Sequence, residues 1–453
     1  MAEAAFKARA HGALNDDHLR GALRTATDVL GMMRPVSLQD LADPDAVRDT
    51  ARTIRKRMVA DLPRVLDRFV ENVDAVGGTV FRAANGDAAV AYIVGIAQQR
   101  GARVVAKGKS MASEEIHLNA GLEAAGVTVV ETDLGEFIIQ LAGETPSHII
   151  APAIHKTRYD VAELFTADAA ARGETGAPVA PDIPAEFAYA RSRLREAFLE
   201  ADIGVTGVNF AVAETGSICL VENEGNGRMC TTLPRVHIAV MGMERIVETW
   251  DELDVMLNVL ARSATGQPLS VYTNILTGPR RVDDVDGPEE LHVVILDNGR
   301  SAIRGTKFED VLDCIRCGAC LNVCPVYRNV GGHAYNAVYS GPIGAVLTPL
   351  LRPDDPEARE LSQASSLCGA CWEACPVRIP LHEMLLDLRA RDAPGDGGAT
   401  RRIGFSLWSW LWSTRAGFVA TKVASRVGRR VGRRARRAPG WAGAWLSTRE
   451  APK

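Results

Sequence analysis

Residues 313–325 read DCIRCGACLNVCP, and residues 368–376 read CGACWEACP. The first stretch has the spacing C-x2-C-x2-C-x3-C-P, and the second repeats its last three cysteines and the proline. In chains with this spacing, three consecutive thiolates bind one iron–sulfur cubane, whereas the fourth cysteine, followed by proline, binds the other cluster of a pair. The two stretches therefore predict a domain built around two clusters.

This rule divides the seven cysteines into two sets of ligands. We expect four thiolates on one [4Fe–4S] cluster and three on the second. The first set is Cys314, Cys317, Cys320 and Cys375, and the second set is Cys324, Cys368 and Cys371. Ser365 occupies the register position of the missing eighth cysteine. Three options remain open for the second cluster. It is a [3Fe–4S] cluster, a [4Fe–4S] cluster with an oxygen ligand or an open iron, or a cluster completed by a distant or a partner residue.

Zinc is the alternative metal. A zinc site needs four ligands, usually as two C-x2-C pairs a dozen or more residues apart, and the C-P endings fit iron–sulfur clusters better. The chain has nine cysteines in all. Cys219 lies in an apolar strand-like run and is expected in the core, and Cys230, beside a glycine-rich turn, is a weaker candidate for completing the second cluster.

The first residues, MAEAAFKARAHG, lack the basic segment and apolar run of a signal peptide. The longest stretch of low charge, residues 403–414, is shorter than the roughly 20 residues of a membrane-spanning helix. We therefore expect a cytoplasmic protein, in which clustered thiols serve metal or redox chemistry rather than disulfides.

Four regions follow from composition and periodicity: residues 1–75, 76–302, 303–392 and 393–453. The first is expected to be helical over residues 18–33 and 45–73, with Pro35 and Pro44 between the helices and a break or kink at Pro63. The third has few strand signals, and 43 residues separate Cys324 from Cys368. These residues read as helical over 335–351 and 355–364, as in the helical ferredoxin domains of succinate-dehydrogenase-type subunits.

The second region alternates short β-branched runs with helical patterns, which predicts an α/β domain with a largely parallel sheet. The expected strands are residues 79–83, 103–106, 127–131, 148–151, 205–208, 217–222 and 291–296. The expected helices are residues 87–100, 114–125, 158–165 and 185–201, with a loop over 166–184.

The fourth region carries 13 basic residues against one acidic residue, Glu450, after residue 400. Apolar residues recur every four or eight positions from Leu407 to Val431, arginines lie on the other faces, and three tryptophans stand near the start. This pattern predicts a basic amphipathic helix that suits an acidic partner or an anionic membrane surface. A solvated tail is the third option, and nothing beyond charge indicates nucleic-acid binding.

Four stretches resemble the lactate-utilisation iron–sulfur protein B family (LutB/LldF). They are residues 313–335 and 366–385, which contain the cysteines, and residues 107–156 and 204–228 (GVTGVNFAVAETGSICLVENEGNGR). The likeness spans about residues 20–390. The seven-cysteine pattern belongs to the family too, so Ser365 is not a defect of this chain.

The resemblance implies an α/β LUD domain, related in fold to sugar-phosphate isomerases (NagB/RpiA) and CoA transferases, followed by an α-helical dicluster ferredoxin domain. It also implies two partners, a subunit with CCG domains (LutA-like) and a second LUD-domain protein (LutC-like). Together they would oxidise L-lactate to pyruvate, with this chain relaying electrons and supplying no catalytic residue. The alternatives are a glycolate-oxidase-type complex and a self-sufficient enzyme with its active site in the LUD-like pocket.

A few residues of the α/β region invite other roles. Lys107, Lys109 and Ser110 stand at a helix start that suits either a bound carboxylate or simple capping. Glu222 follows a strand, where it could imitate the nucleophilic glutamate of CoA transferases, although a turn-forming role is favoured. His117, His148 and His155 are expected to be structural, because no pair of them has ligand spacing on one predicted face.

Overall fold

The computed structural model describes residues 5–392 and 399–420. The chain divides into two compact units, Met1–Arg391 and Asp392–Lys453. The predicted N-terminal helical segment, α/β domain and cysteine-rich domain therefore all lie within the first unit.

The strands form two sheets, and their bounds are β1 Thr79–Ala83, β2 Val104–Lys107, β3 Thr128–Glu131, β4 Ile203–Gly207, β5 Phe210–Val212, β6 Ser217–Glu222, β7 Val236–Gly242, β8 Ile246–Val247, β9 Tyr272–Leu276 and β10 Glu290–Leu296.

The helices up to the cysteine-rich region are α1 Ala5–Leu14, α2 Asp17–Leu38, α3 Pro44–Ala60, α4 Leu62–Ala75, α5 Gly86–Gln99, α6 Met111–Glu115, α7 Leu118–Ala124, α8 Leu134–Ala142, α9 Arg158–Ala171, α10 Ile183–Glu200, α11 Asn226–Thr232 and α12 Trp250–Ala264. The later helices are α13 Arg300–Ile303, α14 Ala319–Asn322, α15 Tyr327–Val330, α16 Gly341–Leu351, α17 Pro356–Glu360, α18 Ala370–Ala374, α19 Leu381–Arg391 and α20 Ala399–Ser413.

The larger sheet has the strand order β1-β10-β7-β4-β2-β3, and every pair in it is parallel. Its strands are apolar on both faces, as expected for a sheet covered on both sides. Val294 and Leu296 pack under α5 and α7, whereas Val293 and Ile295 face the core shared with the N-terminal helices and the cysteine-rich domain. The sheet therefore joins all three predicted regions of the first unit.

A smaller mixed sheet with the order β8-β5-β6-β9 was not expected from the sequence. Two of its strands are only two or three residues long, too short for an alternating pattern to show. Its edge strand β9 is half exposed and carries polar residues, so it lacks the apolar run by which the parallel strands were recognised.

The structure corrects several predicted boundaries. Helix α2 continues through Pro35 to Leu38, whereas a break was expected there. The break expected near Pro63 falls at Asp61, and Pro63 occupies the first turn of α4, where it removes no helical hydrogen bond. Helix α9 continues to Ala171, six residues beyond the predicted end. The single helix predicted over 114–125 is two helices, because His117 between them has φ 52°.

Residues 148–151 do not form the predicted strand. The amides of Ile150 and Ala151 donate to Nδ1 of His148 at 3.1 and 3.2 Å, instead of pairing with another strand. Nε2 of the same ring lies 3.1 Å from the amide oxygen of Asn322 in α14. The segment is thus a loop that His148 holds against the cysteine-rich domain, and burial lowers the pKa of this ring to about 3.

The second unit is described only in part. Helix α20 ends at Ser413, and its residues Trp408, Trp410 and Trp412 are exposed. The predicted amphipathic pattern continues to Val431, but residues 421–453 lie outside the described part of the chain. Across the residues that the structure describes, no helix is long and apolar enough to span a membrane.

Candidate metal centre

The two cysteine stretches form loops of the same shape. Arg316 and Leu367, each one residue before a cysteine, have φ angles of 60° and 58°. The glycines two residues further on, Gly318 and Gly369, have φ angles of 75° and 82° and begin the short helices α14 and α18. A non-glycine residue with positive φ is uncommon, and here it turns the backbone so that successive cysteines face the same side.

The first predicted set of thiols surrounds one small cavity. Its lining includes Cys314, Cys317, Cys320 and Cys375, together with apolar side chains such as Ile149 and Ile343. Burial, and then the charge of Cys375, raises the pKa of Cys317 to about 12. The structure therefore brings these four sulfur atoms together, although Cys375 lies 55 residues or more from the other three in the sequence.

The second predicted set forms a neighbouring group. Burial, and then the charges of Cys324 and Cys368, raises the pKa of Cys371 to about 12. Cys368 is the exposed member of the set. The two groups adjoin, because Cys371 is among the thiols whose charges raise the pKa of Cys320.

Ser365 takes the place in the second loop that Cys314 takes in the first. The amide of Leu367 donates to Oγ of Ser365 at 3.1 Å, and the amide of Arg316 donates to Sγ of Cys314 at 3.4 Å. Nη2 of Arg389 donates to the carbonyl oxygen of Ser365 at 2.8 Å and fixes the backbone of this residue. The register assigned from the sequence is therefore the register of the folded loops.

Arginines surround the first set of thiols, and the sequence analysis did not identify them. Five arginines act electrostatically on Cys314, Cys317 or Cys375. They are Arg34 in α2, Arg48 and Arg55 in α3, Arg245 after β7, and Arg316 in the first loop. No arginine is among the main influences on Cys324 or Cys371 in the described structure. The first set thus lies in the more positive environment.

Two of these arginines attach the N-terminal helix α3 to the cysteine-rich domain. Arg48 donates to the carbonyl oxygens of Glu373 and Cys375 at 2.6 and 2.8 Å. Arg55 is fully buried and donates to four carbonyl oxygens, including those of Leu312 and Asp313 just before the first loop. The only sequence signal is their spacing of seven residues, which places both on one face of a helix.

These residues fit a pair of iron–sulfur clusters. All seven cysteines are free thiols, and six of them are buried or half-buried. Packed so closely without metal or disulfides, thiols of this kind repel one another on ionisation, whereas iron binds them as thiolates. Backbone amides also donate to Sγ of Cys314, Cys324 and Cys375 at 3.4 to 3.5 Å, and such bonds tune cluster potentials.

The structure separates the other two cysteines from this centre. Cys219 is fully buried in β6, as expected. Cys230 packs with Ala106 and Phe198 in the α/β domain, and its Sγ lies 3.4 Å from Oγ1 of Thr132. The suggestion that Cys230 completes the second set is therefore wrong.

The remaining candidates of the α/β domain have mostly structural roles. Lys107 is fully buried in an ion pair with Glu131 at 2.5 Å. Oγ of Ser110 accepts from the amide of Ser113 at 3.2 Å, which caps α6. The carboxylate of Glu222 accepts from the amides of Gly227 and Arg228 at 2.6 and 2.8 Å, so it caps α11 and is not free to act as a nucleophile. Lys109 lines a cavity, as do Ser110 and Glu222, and its Nζ has no hydrogen-bond partner among the described residues.

Comparison with known proteins agrees with this architecture. Residues 66–296 match the LUD domain, and residues 310–379 match the 4Fe-4S dicluster domain. Lactate utilization protein B of Bacillus licheniformis is 49% identical over 87% of this chain and 81% of its own length. The chain belongs to the lactate utilization protein B family. The proteins of the same name from Macrococcus caseolyticus and Bacillus subtilis are 50% and 48% identical, over 85% and 87% of this chain and 79% and 81% of their own.

Membership of the family confirms the resemblance and the fold class predicted from the sequence, a LUD domain followed by a dicluster domain. The chain is a lactate-utilization iron–sulfur protein. A solved structure, a DUF162 family protein from Deinococcus radiodurans, covers 52% of this chain and 98% of its own at 16% identity, with a TM-score of 0.28.

Proposed function

We propose that this protein is the electron-transfer subunit of a complex that oxidises L-lactate to pyruvate, and that it binds two clusters through the two sets of thiols. The observation that carries the proposal is the convergence of Cys314, Cys317, Cys320 and Cys375 on one cavity, beside the group that contains Cys371. Neighbouring groups of thiols suit transfer between two carriers better than catalysis at a single metal.

Bound in this way, iron–sulfur clusters supply one-electron carriers. The thiols fix their position, and amide donors together with the arginines around the first set stabilise negative charge there. Apolar side chains such as Ile343 and Val377 exclude water from the first set. Cys368 is exposed, so the second set offers the accessible side for exchange with another protein.

We infer the partners from the family resemblance: a subunit with CCG domains and a second LUD-domain subunit. An acidic body with a basic C-terminal region suits docking of that region on an acidic partner, and an anionic membrane surface is the alternative. Co-purification of the three proteins tests the association with the two partner subunits, and sedimentation with anionic vesicles tests the binding to a membrane surface. A chain that associates with neither would contradict both.

The relay is tested with the cluster-loaded protein, prepared without oxygen. We expect lactate to reduce its clusters only when the partner subunits are present, as seen by bleaching of visible absorbance. Lactate turnover by the purified chain alone would contradict the relay and favour a self-sufficient enzyme. That rival has one observation in its favour, a cavity of about 300 Å³ in the α/β domain. Faster reduction of the clusters by glycolate than by lactate would contradict the proposal that lactate is the substrate.

The assignment of ligands is tested by single substitutions. We expect Cys375→Ser to remove the paramagnetic signal of one reduced cluster and Cys371→Ser to remove that of the other. Cys219→Ser, in a buried strand of the α/β domain, is the control and should leave both signals. Loss of the same signal in both variants would contradict the division into two sets.

A further inference from the structure

A cavity of about 300 Å³ opens at the carboxyl edge of the parallel sheet. Gly108 follows β2, Gly207 ends β4 and Gly242 ends β7, and these three adjacent strands supply part of its lining. Ligands of α/β folds bind at this edge, and the volume is within the range of small-molecule pockets. The cavity is distinct from the space between the thiols.

Two cationic side chains in this lining each have one nitrogen atom without a partner, although Arg316 is paired with Glu244 through Nη2 at 3.1 Å. Nζ of Lys109 and Nη1 of Arg316 are both shielded from solvent, and neither has a hydrogen-bond partner among the described residues. Burial lowers the pKa of Lys109, which shows that its surroundings do not fully compensate its charge. A buried, unpaired cation is costly to the fold, so Lys109, together with the free Nη1 of Arg316 in the same lining, points to an anionic ligand.

Acidic groups restrict which anion fits. Asp133 and Glu224 also line the cavity, and their charges act on Lys109 without forming an ion pair with it in the described structure. They would repel a doubly charged phosphate but accept a hydrogen bond from a hydroxyl group. Leu260 and Ala264 add an apolar wall. A small anion with one negative charge, a hydroxyl group and a short carbon chain matches all of these features.

We propose that this cavity binds a small 2-hydroxymonocarboxylate, with its carboxylate at Lys109 and at Nη1 of Arg316. The choice of a hydroxy acid rests on the proposed function, whereas the site itself is formed by the α/β domain and Arg316 and by none of the cysteine ligands. Its position also links it to the first cysteine loop. Arg316 lies between Cys314 and Cys317, and Arg245, which also lines the cavity, donates to the carbonyl oxygen of Cys314 at 3.0 Å.

An anion bound at Arg316 neutralises a positive charge beside Cys314. Binding in the cavity is therefore expected to alter the spectrum of the cluster held by the first set and to lower its reduction potential. The effect on the second set should be smaller, because Arg316 is not among the main influences on Cys324 or Cys371.

The test uses isothermal titration of the cluster-loaded, full-length protein with L-lactate, pyruvate and inorganic phosphate. We expect L-lactate to bind at least tenfold more tightly than phosphate, and also more tightly than pyruvate, whose keto oxygen cannot donate a hydrogen bond to Asp133 or Glu224. Lys109→Met should weaken that binding at least tenfold and yet raise the thermal midpoint, because it removes a buried charge without a partner. Lys307→Met, in an exposed ion pair with Asp387, is the matched control and should change neither.

Ala264→Leu provides a second test that keeps both cations. The larger side chain occupies part of the cavity, so carboxylate binding should weaken at least tenfold while the cluster spectra without ligand stay unchanged. The proposal is overturned if the parent protein does not bind L-lactate, if phosphate or pyruvate binds more tightly, or if both variants keep the parental affinity.

Discussion

The guanidinium of Arg316, at Nη2, lies 3.1 Å from Oε1 of Glu244. Arg316 comes from the first cysteine loop and Glu244 from the turn after β7, so this ion pair joins the dicluster domain to the LUD domain. Glu244 also binds Nε of Arg300 at 2.8 Å, and both Glu244 and Arg300 are almost fully buried. Gly242 permits this approach, since a Cβ there would lie 2.4 Å from Oε2 of Glu244.

Glu244→Gln should destabilise the fold, because it leaves two guanidinium groups buried beside a neutral side chain. The arginines hold the pKa of Glu244 at about 2, so the carboxylate is charged at neutral pH. Loss of one partner from a buried ion pair typically costs about 3–5 kcal/mol. Urea unfolding followed by circular dichroism measures the change. Glu289→Gln, in an exposed pair with Arg235, is the control, and an equal loss in both variants would contradict the prediction.

Ser365→Cys should supply the eighth thiol of the dicluster domain. Its Oγ already lies where the first loop has Sγ of Cys314, so the new sulfur needs no change in the backbone. We expect the iron content to reach about eight atoms per chain and the second cluster to survive exposure to air for longer. Ser365→Ala is the control for loss of the hydroxyl. A variant that holds no more iron than the parent, with unchanged spectra, would argue against a vacant or oxygen-bound ligand position.

Arg34→Gln should lower the reduction potential of the cluster held by the first set. Arg34 acts electrostatically on Cys317 and Cys375, so its removal takes away positive charge that favours the reduced, more negative cluster. We expect a shift of some tens of millivolts, a Coulomb energy on the order of 1 kcal/mol. A redox titration followed by electron paramagnetic resonance measures it. Arg64→Gln, which pairs with Glu248, is the control, and equal shifts of both clusters would refute this assignment.

His237→Gln should change the pH dependence of stability. His237 is fully buried, its Nε2 lies 2.8 Å from Oγ1 of Thr206, and burial lowers its pKa to about 3. Below about pH 6.5 the unfolded chain takes up a proton that the folded chain cannot, so this histidine makes stability fall as pH falls, by up to about 1.4 kcal/mol per unit.

Urea unfolding at pH 7.0 and pH 5.5 tests this difference. The free energy of unfolding of His237→Gln, relative to that of the parent, should be higher at pH 5.5 than at pH 7.0. Cluster loss in acid affects both proteins alike and cancels in the comparison. A gap that does not depend on pH would show that the neutral state of His237 carries no such cost.

Local patterns in the sequence determined much of this protein. Tight loops close within a few residues, so the spacing of Cys314, Cys317 and Cys320 predicts their geometry, and the repeat predicts the place of Ser365. Alternation of apolar runs with helical patterns likewise predicted the parallel sheet, because burial on both faces leaves a continuous apolar signal.

Only the tertiary structure decided what surrounds those loops. Arg55 reaches the residues just before the first cysteine loop across more than 250 residues of chain, and Lys109 and Arg316, about 200 residues apart, line the same cavity. A buried arginine cannot be told from an exposed one in the sequence. Its hydrogen bonds go to backbone carbonyl oxygens, which every type of residue carries. The cavity, the positive charge beside the first set of thiols and the loop at His148 therefore depend on long-range packing.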